Sequence, residues 1–107
     1  MNRSDRLFRA FADPIRRRAL RLLGRRTLCV CDLTDSLSLP QPTVSRHLGA
    51  LQRAGLVRIE KRGRWRHYAL AGTSDALVAS LLMSAAAEKD AAGDVRRLKS
   101  LPRRACA

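Results

Sequence analysis

A proline that separates two helical patterns, followed at once by two short alternating runs, constrains this chain more than any other feature. From Val30 to Leu37 the apolar residues Val30, Leu33 and Leu37 recur at i, i+3 and i+7, and Leu39-Pro40 then breaks the pattern. Gln41 through Ala54 resumes it, with Val44, Leu48 and Leu51 on one face and Gly55 as the stop. Leu56–Lys61 alternates as a strand does, Arg62-Gly63-Arg64 supplies turn chemistry, and Trp65–Leu70 alternates again. Two short helices joined by a tight turn, the second polar at its start, form a helix-turn-helix pattern, and the basic hairpin directly after it is a wing. The expectation is a mainly α fold with a small β-hairpin, a winged helix-turn-helix. Trp65 and Tyr68 are expected to pack the wing onto the core.

The flanks complete one domain. Ser4–Phe11 places Leu7, Phe8 and Phe11 at helical spacing, and Asp13-Pro14 is a cap followed by proline at the first helical position. That second helix carries Ile15, Ala19, Leu22 and Leu23 on one side and stops at Gly24, while its other side presents Arg16, Arg17, Arg18 and Arg21. Those arginines are read as reaching phosphate or facing water. Ser74 or Asp75 caps an expected last helix running to about Arg97, rich in leucine and alanine, including Ala86, Ala87, Ala91 and Ala92. With the first helix it predicts a dimer surface. Residues 1–100 are read as a single DNA-binding and dimerisation domain, and 101–107 as a mobile basic tail carrying Cys106.

Charge points to the partner. The chain has 22 Lys+Arg against 9 Asp+Glu, a net charge of +13, and 16 of the basic residues with only 5 of the acidic ones lie in residues 1–70. Such an excess, concentrated on the reader and wing, is the footprint of a nucleic-acid binder. No stretch approaches the ~18 apolar residues of a membrane helix, and no apolar signal core follows the N-terminal arginines, so a cytoplasmic protein is expected.

Cys29 and Cys31, one residue apart just ahead of the helix-turn-helix, are the chemically reactive feature. Thiolates prefer soft, thiophilic ions, so the pair predicts metal or metalloid binding; the alternative is two buried small hydrophobes. Three cysteines with two nearly adjacent do not make a disulfide framework, and reduced thiols are expected. Residues i and i+2 of a helix point to nearly opposite faces, so Cys29 and Cys31 chelate one ion only if the start of the third helix is unwound or unwinds.

Phe11-Ala12-Asp13-Pro14-Ile15-Arg16, Leu28-Cys29-Val30-Cys31-Asp32-Leu33, Gln41-Pro42-Thr43-Val44-Ser45-Arg46-His47-Leu48, Leu51, Gly55-Leu56-Val57 and the Arg62–Tyr68 wing together resemble the ArsR/SmtB repressors over residues 6–70. The Cys-Val-Cys-Asp-Leu string resembles the arsenical-responsive branch. The resemblance implies a homodimeric repressor that holds a palindromic duplex operator when free, needs no cofactor to do so, and releases it on binding trivalent arsenic or antimony. Cys29 and Cys31 match the thiol ligands of that motif. Thr34 stands where some members carry a further cysteine, and Pro40 stands where a serine usually precedes Gln-Pro. Cys106 is the candidate third thiolate. If it is idle, methylated trivalent arsenic, whose carbon substituent completes three bonds, fits better than arsenite.

On DNA, Gln41, Thr43 and Arg46 are placed at base edges, because arginine reads guanine and glutamine adenine through paired hydrogen bonds. Ser45 and His47 are read as phosphate partners or helix-surface residues, and Arg62, Arg64 and Arg66 as wing contacts to backbone or minor groove. The last helix lacks the histidine and acidic spacing of the family's zinc sites, and His47 and His67 fall in the reader and the wing, so neither is expected to bind metal. Other readings are a thiol redox or persulfide sensor pairing Cys29 or Cys31 with Cys106, and an architectural nucleic-acid binder without a signal. A small thiol enzyme such as an arsenate reductase is disfavoured by the absence of Cys-x-x-Cys and of a phosphate-cradling glycine loop.

Overall fold

The computed structural model describes residues 1–72 and 74–102. The element order is α1 (Arg3–Phe11), α2 (Pro14–Leu23), β1 (Leu28–Cys29), α3 (Val30–Leu37), α4 (Gln41–Ala54), β2 (Val57–Arg62), β3 (Trp65–Leu70), α5 (Ala76–Ala87) and α6 (Asp94–Ser100). The helix-turn-helix and wing stand where the sequence pattern places them.

Local chemistry sets the helix ends. The Asp13 carboxylate accepts from the backbone N–H of Ile15 at 2.8 Å and of Arg16 at 3.2 Å, with Pro14 as the first helical residue of α2. Asn2 and Asp75 cap α1 and α5 in the same way. The start of α4 has no side-chain cap because Pro40 occupies that position. Its end is sharp: Gly55 adopts φ 85°, the left-handed conformation that closes a helix at little cost in glycine. Between α3 and α4 the chain turns through Ser38, which holds φ 56° despite its side chain.

Leu7, Leu20, Leu22, Leu33, Leu48 and Leu51 are fully buried at the centre, where α1 and α2 meet α3 and α4. The apolar stripe of each helix therefore faces the common core, as its spacing requires.

The wing differs from the expected hairpin. β1 adds a third strand, giving the antiparallel order β1-β3-β2 with Leu28 opposite Tyr68 and Cys29 opposite His67. Leu28, Val57, Tyr68 and Leu70 belong to the face that joins the core. Tyr68 thus packs as expected, but Trp65 sits on the opposite face and remains 41% exposed. Period-two alternation separates the two residues, so a single face cannot bury both.

The expected last helix is two helices. Glu88 leaves helical geometry with ψ 147°, Gly93 adopts φ 79°, and Asp90 accepts from the N–H of Val95 at 2.9 Å to start α6. Ala91 and Ala92 fall in the break rather than on a helix. Alanine propensity loses here to the ion pairs that Glu88 and Asp90 make with α2. Leu101, read as the first tail residue, packs half-buried against the core, while Cys106 lies outside the described residues. No described helix is long and apolar enough to cross a membrane.

Candidate nucleic-acid interface and thiol site

The exposed side of α4 carries the polar residues of the reader. Gln41 and Arg46 are exposed, and Thr43 and Ser45 half-buried at the rim of the core. The Gln41 amide donates to Ser45 Oγ at 2.6 Å, one helical turn on, which holds the glutamine along the helix surface. His47 departs from expectation. It is 7% exposed and turned inward, its Nδ1 accepting from Arg16 Nε at 3.2 Å. Burial holds the His47 imidazole below its ordinary pKa of 6.5, and the nearby Arg16 and Arg46 charges act in the same direction against an opposing pull from Asp13. Four-residue spacing explains the placement: His47 follows Thr43 and shares the flank of Val44 and Leu48.

Beside α4, the wing tip presents Arg62, Gly63, Arg64 and Arg66, all exposed. Gly63 turns at φ 63°, the conformation the tight hairpin requires. Glu60 pairs with Arg58 and with Arg62, which hold its carboxyl below the usual range, Arg58 more strongly. Among the described residues, Arg64 and Arg66 have no carboxylate partner.

Three of the four α2 arginines are drawn into ion pairs with carboxylates from the C-terminal part of the chain. Arg17 pairs with Glu88 at 2.9 Å, Arg21 with Glu88 and Asp90, and Arg18 with the fully buried Asp94 at 2.8 Å. Asp94 also receives Arg97 at 2.9 Å. The same two arginines reach the end of α3: Arg18 Nη2 donates to Leu37 O at 2.9 Å and Arg97 Nε to Ser36 O at 2.7 Å. Orphan carbonyls at a helix C-terminus favour cationic donors, so this latch fixes α3 to α2 and α6. Nothing in the sequence marked it, because its members lie up to 79 positions apart along the chain.

The thiols sit at the other end of α3. Cys29 is the residue before the helix, extended at φ −77° and ψ 164°, and 3% exposed; Cys31 is the second helical residue and exposed. The helical geometry that would drive the two apart therefore applies only to Cys31. Cys29 lines a cleft of about 720 Å³ with Arg26, Asp32, Arg62, Lys99 and Pro102, and Cys31 is not part of that lining. Among the described residues no group of three or more His, Cys, Asp or Glu side chains is arranged to hold a metal ion. The Thr34 hydroxyl, next after the Cys-Val-Cys-Asp-Leu string, is buried without a hydrogen-bond partner.

With this geometry in place, comparison with known proteins decides the class. Residues 13–58, which run from the α2 cap through the reader into the wing, match the family of bacterial regulatory proteins described as the arsR family. The HTH-type transcriptional regulator MJ1325 of Methanocaldococcus jannaschii is 46% identical over 63 residues, covering 58% of this chain and 71% of that protein. The chain belongs to the arsR family. The arsenical resistance operon repressor of Escherichia coli K12 is 40% identical over 77 residues, 71% of this chain but only 66% of the repressor's length. In solved structures, the homodimeric winged helix-turn-helix DNA-binding domain of Mb0332 from Mycobacterium bovis superposes with TM-score 0.68 at 28% identity, over 77% of this chain and 73% of that one. The family and these relatives are transcriptional regulators and not enzymes.

Proposed function

We propose that this arsR-family protein is a homodimeric repressor that holds a palindromic operator when free and releases it when Cys29 and Cys31 bind trivalent arsenic or antimony. The observation that carries the reading is the placement of Cys29 outside α3 and Cys31 just inside it, at the head of the helix that supports the reader. The arsenical resistance repressor of Escherichia coli is a relative of the same family, which supports the same class of inducer.

On the operator, Gln41, Thr43 and Arg46 read base edges and Ser45 takes phosphate, with Arg62, Arg64 and Arg66 along the backbone or minor groove. His47 supports this surface from beneath through Arg16. Phe8 and Met83, 54% and 73% exposed on α1 and α5, supply the apolar surface that a second copy covers.

Release follows from the constraint on α3. Drawing the Cys31 sulfur to the Cys29 sulfur pulls on the first turn of α3, which carries Cys31, while the far end of the helix is held by Arg18 and Arg97. The strain passes into the turn at Ser38 and shifts α4 in the groove. Moving an operator-competent population from 99:1 to 1:99 takes about 5.5 kcal/mol of differential binding, which formation of two or three metalloid–thiolate bonds supplies. With Thr34 unable to act as a soft ligand, the third bond to arsenite falls to Cys106 or to none. In the latter case the methylated species is the better inducer.

Operator release in a mobility-shift titration tests this. Cys29→Ser and Cys31→Ser are expected to bind operator as the parent does and to keep it in the presence of trivalent arsenic. Cys106→Ser is expected to keep its response to methylated trivalent arsenic and to lose part of its arsenite response only if the tail supplies a bond. A parent-like response by either of the first two variants to both ligands would refute the thiol sensor.

A further inference from the structure

The three-stranded sheet brings together two residues that the sequence leaves 38 positions apart. Cys29 stands directly opposite His67 across β1 and β3, and Glu60 stands opposite His67 across β2 and β3. The three residues therefore form a row on the face turned away from Leu28, Tyr68 and Ile59. Within that row the thiol and the imidazole are closed off, with Cys29 3% and His67 2% exposed. Both ring nitrogens of His67 are buried without a hydrogen-bond partner. Native interiors seldom leave a side chain in this condition, and an unfilled ligand position is one established reason for it. The imidazole thus stands across the strand pair from a thiol-bearing residue, with neither ring nitrogen hydrogen-bonded.

We propose that Cys29 and His67 form a two-donor site for a soft monovalent d10 cation of the copper(I) class. Directly opposed residues of an antiparallel pair hold their Cβ atoms about 4.5–5.5 Å apart. A d10 ion bridging one thiolate sulfur and one imidazole nitrogen separates those two atoms by about 4 Å, a span that such a pair accommodates without moving the strands. Thiolate and imidazole together suit copper(I), which accepts two donors. This low coordination number agrees with the absence, among the described residues, of any three-donor group.

Charge selects the valence. The thiol proton leaves to solvent as the metal–sulfur bond forms, so thiolate, monovalent ion and neutral imidazole sum to zero and tolerate burial. A divalent ion would leave a net positive charge inside, on a face that already carries Arg58 and Arg62 beside Glu60. Bound copper(I) would staple β1, and with it the start of α3, to the wing. The site shares Cys29 with the metalloid reading but requires neither Cys31 nor arsenic. It departs from the expectation that His67 has no metal role, because the pairing of β1 with β3 was not foreseen.

The test uses the reduced full chain under anaerobic conditions, titrated with copper(I) held by a chromogenic chelator. The parent and Cys31→Ser are expected to take one equivalent with equal affinity. Cys29→Ser should take none, and His67→Gln should bind at least about 100-fold more weakly, since loss of a direct ligand exceeds the usual effect of an outer partner. Copper K-edge absorption of the parent should show one sulfur and one nitrogen neighbour, a readout that needs no variant to fold. In operator release by trivalent arsenic the pattern inverts: His67→Gln responds and Cys31→Ser does not. A spectrum with sulfur neighbours only, parent-like binding by His67→Gln, or loss of binding in Cys31→Ser overturns the site. Failure of the arsenic arm alone overturns the metalloid reading and leaves the copper site standing.

Discussion

Two arginine-rich surfaces of this molecule look alike in the sequence and behave differently in the structure. On α2, Arg17, Arg18 and Arg21 are drawn into pairs with Glu88, Asp90 and Asp94. On the reader and the wing tip, Arg46, Arg64 and Arg66 are exposed and, among the described residues, have no acidic partner. Three of the four acidic residues of residues 71–107 pair with α2, so Arg46, Arg64 and Arg66 on α4 and the wing are left without those counter-charges. Where a net charge of +13 is displayed depends on where nine carboxylates are placed.

The contrast is sharpest at Asp94. Its replacement by alanine leaves Arg18 and Arg97 facing a buried void without a counter-charge, and removing one member of a buried ion pair typically costs about 3–5 kcal/mol. An unfolding free energy from chemical denaturation that fell by less than a third of that would place the α2 cluster with ordinary surface pairs. The exposed arginines are expected to show the reverse profile, with little effect on stability and a large one on binding. Arg46→Ala should cost roughly 1–3 kcal/mol at the preferred operator and relax base preference there, whereas Arg64→Ala should weaken all duplexes alike and lower the salt slope by about 1. Fluorescence anisotropy on matched and scrambled duplexes at several salt concentrations separates them. If the two profiles are exchanged, the reader and the wing have been assigned the wrong way round.

Within the α2 cluster, Glu88 is the graded case. Its side chain is 41% exposed, and solvent screening limits its pairs with Arg17 and Arg21 to about 1 kcal/mol or less. Glu88→Gln should shift thermal unfolding slightly, and the shift should shrink in high salt.

Arg16 lies between the two groups, on α2 but bonded to His47 of the reader helix. The folded pKa of His47 is lowered from 6.5, so below that pH the unfolded chain takes up the proton first. Stability from this group is complete above pH 6.5 and is lost as pH falls through the lowered folded value. The expected effect is small: unfolding free energy declines on acidification from pH 7 to 5, and His47→Gln flattens part of that decline. A parent profile identical to that of the variant would remove His47 from the account.

Much of the reader was legible. The spacing of Val30, Leu33 and Leu37, the break at Pro40, and the stripe of Val44, Leu48 and Leu51 each follow from helical periodicity, and each element formed over the expected span. Asp13-Pro14 and Gly55 set their helix ends because capping is a matter of a few neighbouring residues. Besides the latch on α3, three features were not legible. The strand Leu28–Cys29 is two residues long and carries no period of its own. Its existence depends on β3 offering an edge to pair with. The division of α5 from α6 set local alanine propensity against ion pairs made with a helix some 70 residues earlier. The hydrogen bond that meets the inward-turned His47 comes from Arg16, 31 positions away, and no local pattern announces it.

The division follows from range. Periodicity, capping and turn preference act within about one helical turn or one strand, and the amino-acid sequence by itself determined the helix-turn-helix, the hairpin and the place of the Cys29–Cys31 pair in the chain. Pairing across strands and ion pairs between helices depend on which surfaces meet, and only the tertiary structure decided these. It assigned Arg17, Arg18 and Arg21 of α2 to Glu88, Asp90 and Asp94, left Arg46, Arg64 and Arg66 exposed, and set Cys29 opposite His67 by the register of two strands whose residues alternate faces.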